Sequence, residues 1–141
     1  MSNSSLVFPM FAMVALTFST LIRLFRARYT SIVDGTVKAS YFKLYLGDPE
    51  PEASTKLSRH LINQFEAPVL FYVCCLAAMA TQVTHWGLIV LAWIYVALRV
   101  IHTIVHTGKN RLKPRAWSYF ASWGAMLMMW LILAVRVAAP G

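Results

Sequence analysis

Residues 116–135 read AWSYFASWGAMLMMWLILAV, a run of 20 residues without a charged side chain. A helix needs roughly 20 apolar residues to cross the hydrocarbon core of a bilayer. The run meets that length, and it is bounded by a basic residue at each end, Arg115 and Arg136. The segment therefore predicts a transmembrane helix at about 116–136.

Three further apolar runs precede this one in the 141-residue chain. They predict helices at about 6–28, 56–81 and 86–107, with Pro68 kinking the second of them. Hydrophobic residues make up 59% of the chain and charged residues only 13%, whereas about 25% of a soluble domain is charged. The sequence thus predicts an all-α fold, an integral membrane four-helix bundle that forms a single domain.

The basic residues gather on one side of the predicted membrane. The net charge is +8, and of the 13 lysines and arginines all but Arg99 and Arg136 fall within residues 23–59 and 109–115. Short loops rich in lysine and arginine stay in the cytoplasm. We expect both connections there, and both termini facing away from the cytoplasm. Because the cations lie at the ends of apolar runs, we expect no nucleic-acid partner.

Polar side chains inside membrane helices are costly, so they are candidates for function. The second and third helices each carry three of them, at spacings i, i+4, i+7 and i, i+3, i+7: Arg59, Asn63, Glu66, then Arg99, His102, His106. Each spacing keeps its residues on one helical face. We expect the two stripes to face each other, which predicts a buried ion pair between Glu66 and Arg99.

The remaining cations at the cytoplasmic end have no acidic residue to match them. They are Arg59, His102, His106, Arg111 and Arg115. A cationic pocket at the membrane surface suits an anionic ligand, although Arg111, Lys113 and Arg115 could equally reach toward lipid headgroups.

A metal or haem site is an alternative for the histidines, because His102 and His106 stand at i, i+4 and His60 could add a third ligand. No carboxylate accompanies the pair, and His60 points off the 59/63/66 stripe. We therefore expect no metal.

Two segments resemble the signature of one family. The second helix reads RHLINQFEAP over residues 59–68, and the third reads RVIHT over 99–103, followed by GKNR at 108–111 and by Arg115. The combination Arg-x-x-x-Asn-x-x-Glu, Arg-x-x-His and a basic loop resembles membrane-associated proteins in eicosanoid and glutathione metabolism (MAPEG), here a bacterial-type member. The resemblance runs from the end of the first helix to the start of the fourth.

The resemblance implies a homotrimer in a bacterial inner membrane, with glutathione bound between subunits near the cytoplasmic side. It assigns the thiolate-stabilising, catalytic role to Arg115 or His106. Glutathione-binding or site-shaping roles fall to Arg59, Asn63, Glu66, His102 and Arg111, and to an arginine of the first helix, Arg26 or preferably Arg28.

Three residues depart from the family pattern. Many members have a tyrosine where this chain has His106, one branch often has a serine at Ala116, and an arginine is common at Ile62.

The leading hypothesis is a glutathione-dependent membrane transferase or peroxidase that acts on lipophilic electrophiles, with membrane lipids as its surroundings. The alternative, which the departures favour, is a non-catalytic lipid-binding or scaffold protein of the same fold. A small multidrug exporter would need a carboxylate in the first helix, which has none.

Overall fold

The structure is a computed structural model that describes residues 3–47, 50–83 and 85–139. In these residues a short 3-10 helix, Asn3–Leu6, is followed by six α-helices: α1 Val7–Val33, α2 Tyr41–Leu44, α3 Glu52–Gln64, α4 Ala67–Ala80, α5 Trp86–Thr107 and α6 Leu112–Ala138. Among the described residues, four segments are long and apolar enough to cross a membrane: Ser4–Val33, Glu52–Ala80, Trp86–Thr107 and Leu112–Ala138. The predicted all-α four-helix membrane fold is confirmed.

The helices at the basic end are longer than their apolar runs. α1 continues past Arg28 to Val33 and ends at a turn in which Gly35 has φ +72°. Arginine side chains do not end a helix, because their long stems carry the charge out to water. α6 begins at Leu112, since Pro114 fits the first turn, where its missing N–H would have no partner in any case.

The second membrane segment is broken rather than kinked. α3 ends at Gln64 and α4 begins at Ala67, with Glu66 between them at φ −97° and ψ −96°. Pro68 has no N–H, and inside a continuous helix its ring would clash with the carbonyl four residues earlier. Here Pro68 occupies the first turn of α4 instead, which proline tolerates.

The interior of the bundle has an apolar half and a polar half. Toward the two termini it is filled by residues such as Met13, Leu88 and Met129, with the rings of Phe71 and Tyr95 stacked at 4.5 Å. The free cysteines Cys74 and Cys75 are buried there as packing residues. Toward the basic end the buried side chains are largely polar: Thr20, Ser54, His60, Gln64, Arg99, His102, Thr103, His106, Ser118 and Ser122. This polar half positions the candidate site.

Candidate functional site

Three histidine rings meet in the polar half of the bundle. His60 comes from α3, and His102 and His106 come from α5. Their ring centroids are 5.2 Å apart for His60 and His106, 5.5 Å for His102 and His106, and 5.6 Å for His60 and His102. All three side chains are buried. The structure therefore brings His102 and His106 together as expected, and adds His60, which the spacing argument had turned away from them.

Hydrogen bonds fix two of these rings. His60 Nε2 lies 2.9 Å from Thr103 Oγ1 and 3.0 Å from Gln64 Nε2. His102 Nδ1 lies 3.1 Å from the carbonyl oxygen of Arg115, at the start of α6. A carbonyl oxygen can only accept, so His102 donates from Nδ1, and Nε2 is its unprotonated nitrogen when the ring is neutral. The bond ties the histidine cluster to the backbone of Arg115.

Each ring also carries one buried nitrogen that has no hydrogen-bond partner among the described residues: His60 Nδ1, His102 Nε2 and His106 Nδ1. Three such nitrogens would suit a metal if they converged. Within the described part of the chain, however, no group of three histidine, cysteine, aspartate or glutamate side chains could hold a metal ion. The metal or haem alternative therefore gains no support from the three rings.

The predicted Glu66–Arg99 ion pair is absent, which corrects the sequence-based expectation. Arg99 is fully buried, and its Nη2 donates to the backbone carbonyl of Asn63 at 3.0 Å. Glu66 is exposed, and the described acidic residues that form ion pairs are Glu50 and Glu52. The break after Gln64 is the physical reason. It leaves Glu66 exposed and leaves carbonyl oxygens free at the end of α3, where a cation interacts well with the helix dipole.

The face that α3 buries also differs from the predicted stripe. Its buried side chains include Leu57, His60 and Gln64, whereas Arg59 is exposed and Asn63 is half-buried. Leu57, His60 and Gln64 are spaced i, i+3, i+7, so they share one face of α3. That face changes from apolar to polar along the helix and contains no full charge, and a search for charged residues therefore overlooked it. Arg59 and Asn63 are left on a side of α3 that is open to a ligand or to another subunit.

Arg115 is held at the edge of the histidine cluster. Its Nη1 donates to Asn110 Oδ1 at 2.7 Å, while its backbone carbonyl accepts from His102. The ring centroids of His102 and His106 are 5.5 Å apart. His102 therefore links the backbone of Arg115 to the ring of His106, the other predicted catalytic residue. The sequence analysis did not name Asn110 as a site residue. Its place in the basic loop suits a turn, and the structure gives it the left-handed backbone of a turn residue, φ +49°.

The first helix brings Arg23, rather than Arg28, to the cluster. Arg23 Nη2 donates to Thr107 Oγ1 at 3.2 Å, next to His106 on α5. Arg28 is ion-paired with Glu50 at 2.9 Å and donates to Ser58. α1 and α5 run in the same direction, so Arg23, in the C-terminal half of α1, meets Thr107 at the C-terminal end of α5.

Arg28 also stacks on aromatic rings of the long connection. Its guanidinium lies 5.1 Å from the ring centroid of Phe42 and 5.5 Å from that of Tyr45, a cation–π arrangement. Together with the Glu50 pair, these contacts fasten the connection to α1. The predicted binding residue on α1 is therefore engaged within its own chain.

Arg111 lies apart from the other predicted site residues. It lines a hollow of about 490 Å³ with Lys109, Ile104 and Pro114, where α5 ends and α6 begins. Ile104 is two residues from both His102 and His106, and two positions along a helix are roughly 200° apart. The hollow therefore opens on the side of α5 that faces away from the histidines.

The geometry combines a polar bundle interior, a basic end and the signature residues of α3 and α5. The MAPEG family model matches residues 6–135. The chain belongs to the MAPEG family. No curated protein and no solved structure matches it. MAPEG proteins are four-helix membrane bundles and generally use glutathione as a substrate or cofactor, so this chain is an integral membrane protein of the glutathione and eicosanoid metabolism family.

Proposed function

We propose that this MAPEG protein binds glutathione at its basic end and uses the thiol against lipophilic electrophiles from the membrane. One observation carries the proposal: Arg115 is bonded to Asn110 through its guanidinium and to His102 through its carbonyl, and the His102 ring lies 5.5 Å from that of His106. Glutathione is an anion at neutral pH, and arginine recognises carboxylates and thiolates through charge-assisted hydrogen bonds.

Each side chain has a proposed role. Arg115, aided by His106, stabilises the thiolate. Arg59 and Asn63, on the open side of α3, hold the tripeptide, while His102 orients the start of α6. Glu66, exposed beside the break, accepts from the ligand's ammonium group. Arg28 and Arg111 are left out, because the first is ion-paired and the second lines a separate hollow.

Two reactions fit this arrangement. In a transfer, the thiolate sulfur bonds to an electrophilic carbon and the leaving group departs with the electron pair. In a peroxidase reaction, a lipid hydroperoxide is reduced to an alcohol and water while two glutathione molecules become one disulfide. The membrane supplies the apolar substrate and the cytoplasm supplies the thiol. The orientation with both termini away from the cytoplasm, the bacterial inner membrane and the homotrimer belong to this same proposal.

The second candidate is a lipid-binding or scaffold protein without turnover, which His106, Ala116 and Ile62 favour as departures from the family pattern. Glutathione consumption in proteoliposomes separates the two candidates. With an aryl halide or a lipid hydroperoxide, the parent should consume glutathione above the uncatalysed rate, and Arg115→Ala should lose most of that activity. Equal consumption by the parent and by protein-free liposomes would favour the scaffold.

A further inference from the structure

A hollow at the α5–α6 turn combines an apolar floor with two cations. It is lined by Ile104, Val105, Gly108, Lys109, Arg111 and Pro114, and its volume is about 490 Å³. The two charged residues stand at the end of a membrane helix and at the cap of the next. The apolar residues Ile104, Val105 and Pro114 lie within the membrane segments, and Ile104 is 65% exposed.

The backbone of the turn gives the hollow a fixed shape. Gly108 N–H donates to Ile104 at 3.0 Å, and Asn110 N–H donates to Val105 at 2.9 Å. A Cβ at Gly108 would lie 2.7 Å from the Ile104 carbonyl oxygen, so only glycine allows this close approach. Lys109 is therefore held in a tight turn between two anchored residues, and it projects from the same turn as Arg111.

Among the described residues, no acidic side chain pairs with the cations of the hollow. The ion pairs of the described residues engage Arg28 and Lys56, and neither Lys109 nor Arg111 takes part in one. Both cations are exposed. Basic pockets between membrane helices at this depth bind anionic lipid headgroups, because the cations meet the phosphate while the helices meet the acyl chain.

We propose that this hollow binds one anionic phospholipid, with its phosphate between Lys109 and Arg111 and its upper acyl chain along Ile104, Val105 and Pro114. The site faces away from His102 and His106, so it is separate from the proposed glutathione site and does not depend on it. It also gives Arg111 a role that differs from the one that the family resemblance implies.

Native mass spectrometry of the purified full chain with added lipid tests the proposal, using phosphatidylglycerol against phosphatidylcholine of the same acyl chains. The parent should bind phosphatidylglycerol about thirtyfold more tightly than phosphatidylcholine. Each of the two basic residues should strengthen the attraction to an anionic headgroup by about five- to sixfold. The double variant Lys109→Ala/Arg111→Ala should lose that preference. Circular dichroism and thermal unfolding of each variant establish that it is folded.

Lys113→Ala is the matched control, because Lys113 has the same charge in the same basic segment but does not line the hollow. It should bind phosphatidylglycerol as the parent does. A loss for Lys113→Ala equal to that of the double variant would mean diffuse charge attraction and would overturn the site. So would an unchanged preference in the double variant, no preference in the parent, or displacement of the lipid by inorganic phosphate at equal concentration, which would make the ligand a free phosphate.

Discussion

Arg99 is a fully buried cation that is stabilised by a helix end rather than by an acid. It donates to the Asn63 carbonyl, whereas its Nε and Nη1 have no hydrogen-bond partner among the described residues. A carbonyl at a helix C-terminus carries a partial negative charge, which partly replaces a carboxylate. The two side chains of the predicted ion pair should therefore respond differently to substitution.

Glu66→Gln should change the free energy of unfolding by less than about 1 kcal/mol, because an exposed carboxylate beside a cation contributes little. Arg99→Ala should lower it by roughly 3 kcal/mol, since it empties a filled site and strands the Asn63 carbonyl. Unfolding in mixed detergent and dodecyl sulfate micelles measures both. A strongly destabilised Glu66→Gln would restore the direct ion pair and contradict the capping role of Arg99.

Asn110 should set the position of the Arg115 guanidinium through its 2.7 Å contact. Asn110→Gly keeps a residue that accepts positive φ but removes the acceptor, so glutathione affinity should fall by about tenfold. Asn110→Asp keeps the acceptor and adds a charge that pairs with Arg115, which should reduce the ultraviolet absorbance of the bound thiolate. Unchanged affinity and unchanged absorbance in both variants would remove Asn110 from the site.

At the scale of helices, the α5–α6 turn depends on one glycine. Gly108→Ala would set Cβ 2.7 Å from the Ile104 carbonyl oxygen, a backbone atom that cannot easily move. We expect a loss of about 1–3 kcal/mol in unfolding free energy, as for other overpacked sites. Gly124→Ala in α6 is the control, because nothing lies within 4 Å of its added Cβ. Alanine also favours the helix there, by about 0.5–1 kcal/mol. Equal effects at Gly108 and Gly124 would contradict the steric argument.

The sequence predicts the helices better than it predicts their faces. The apolar runs locate four membrane segments because length and hydropathy act locally. The predicted facing residues of α3 were wrong because the prediction followed the polar residues Arg59 and Asn63, whereas α3 packs through its 57/60/64 face. Glu66 was wrong for a second reason, since it lies beyond the break that follows Gln64. The pattern at 59, 63 and 66 assumes one continuous helix, and the pattern at 57, 60 and 64, which is the one that packs, contains a leucine and no full charge. A proline predicts that a helix is interrupted, but it does not predict how many residues before the proline the helix ends.

At the scale of the whole molecule, the interior is divided into an apolar half and a polar half, and the polar half holds the candidate site. The apolar half toward the termini packs as a membrane core, and the polar half places His60, His102 and His106 under a basic rim. The sequence predicted the location of that rim from the charge distribution. It set His60 aside and did not name Arg23 or Asn110 as site residues. The places of His60 and Arg23 depend on contacts between helices, and that of Asn110 on the shape of the α5–α6 turn, which no spacing within one helix reveals.

The oligomeric state is also a property of the whole molecule. Family membership leads us to expect a homotrimer, in which the exposed Arg59 of each chain would face a neighbouring subunit. Native mass spectrometry in mild detergent should show three copies as the main species. A spectrum of monomers or dimers across detergents and protein concentrations would contradict the trimer, and it would require the glutathione site to form within one chain.

Calorimetric titration of glutathione into the detergent-solubilised protein tests the central claim most directly. The parent should bind with an affinity that falls as salt increases, because the contacts are between charges. Arg59→Ala and Arg115→Ala should each weaken binding by about 2 kcal/mol, roughly thirtyfold. Arg136→Ala, at the opposite end of α6, should bind as the parent does. No binding by the parent, or equal losses at Arg136 and Arg115, would contradict a glutathione site at the basic end of the bundle.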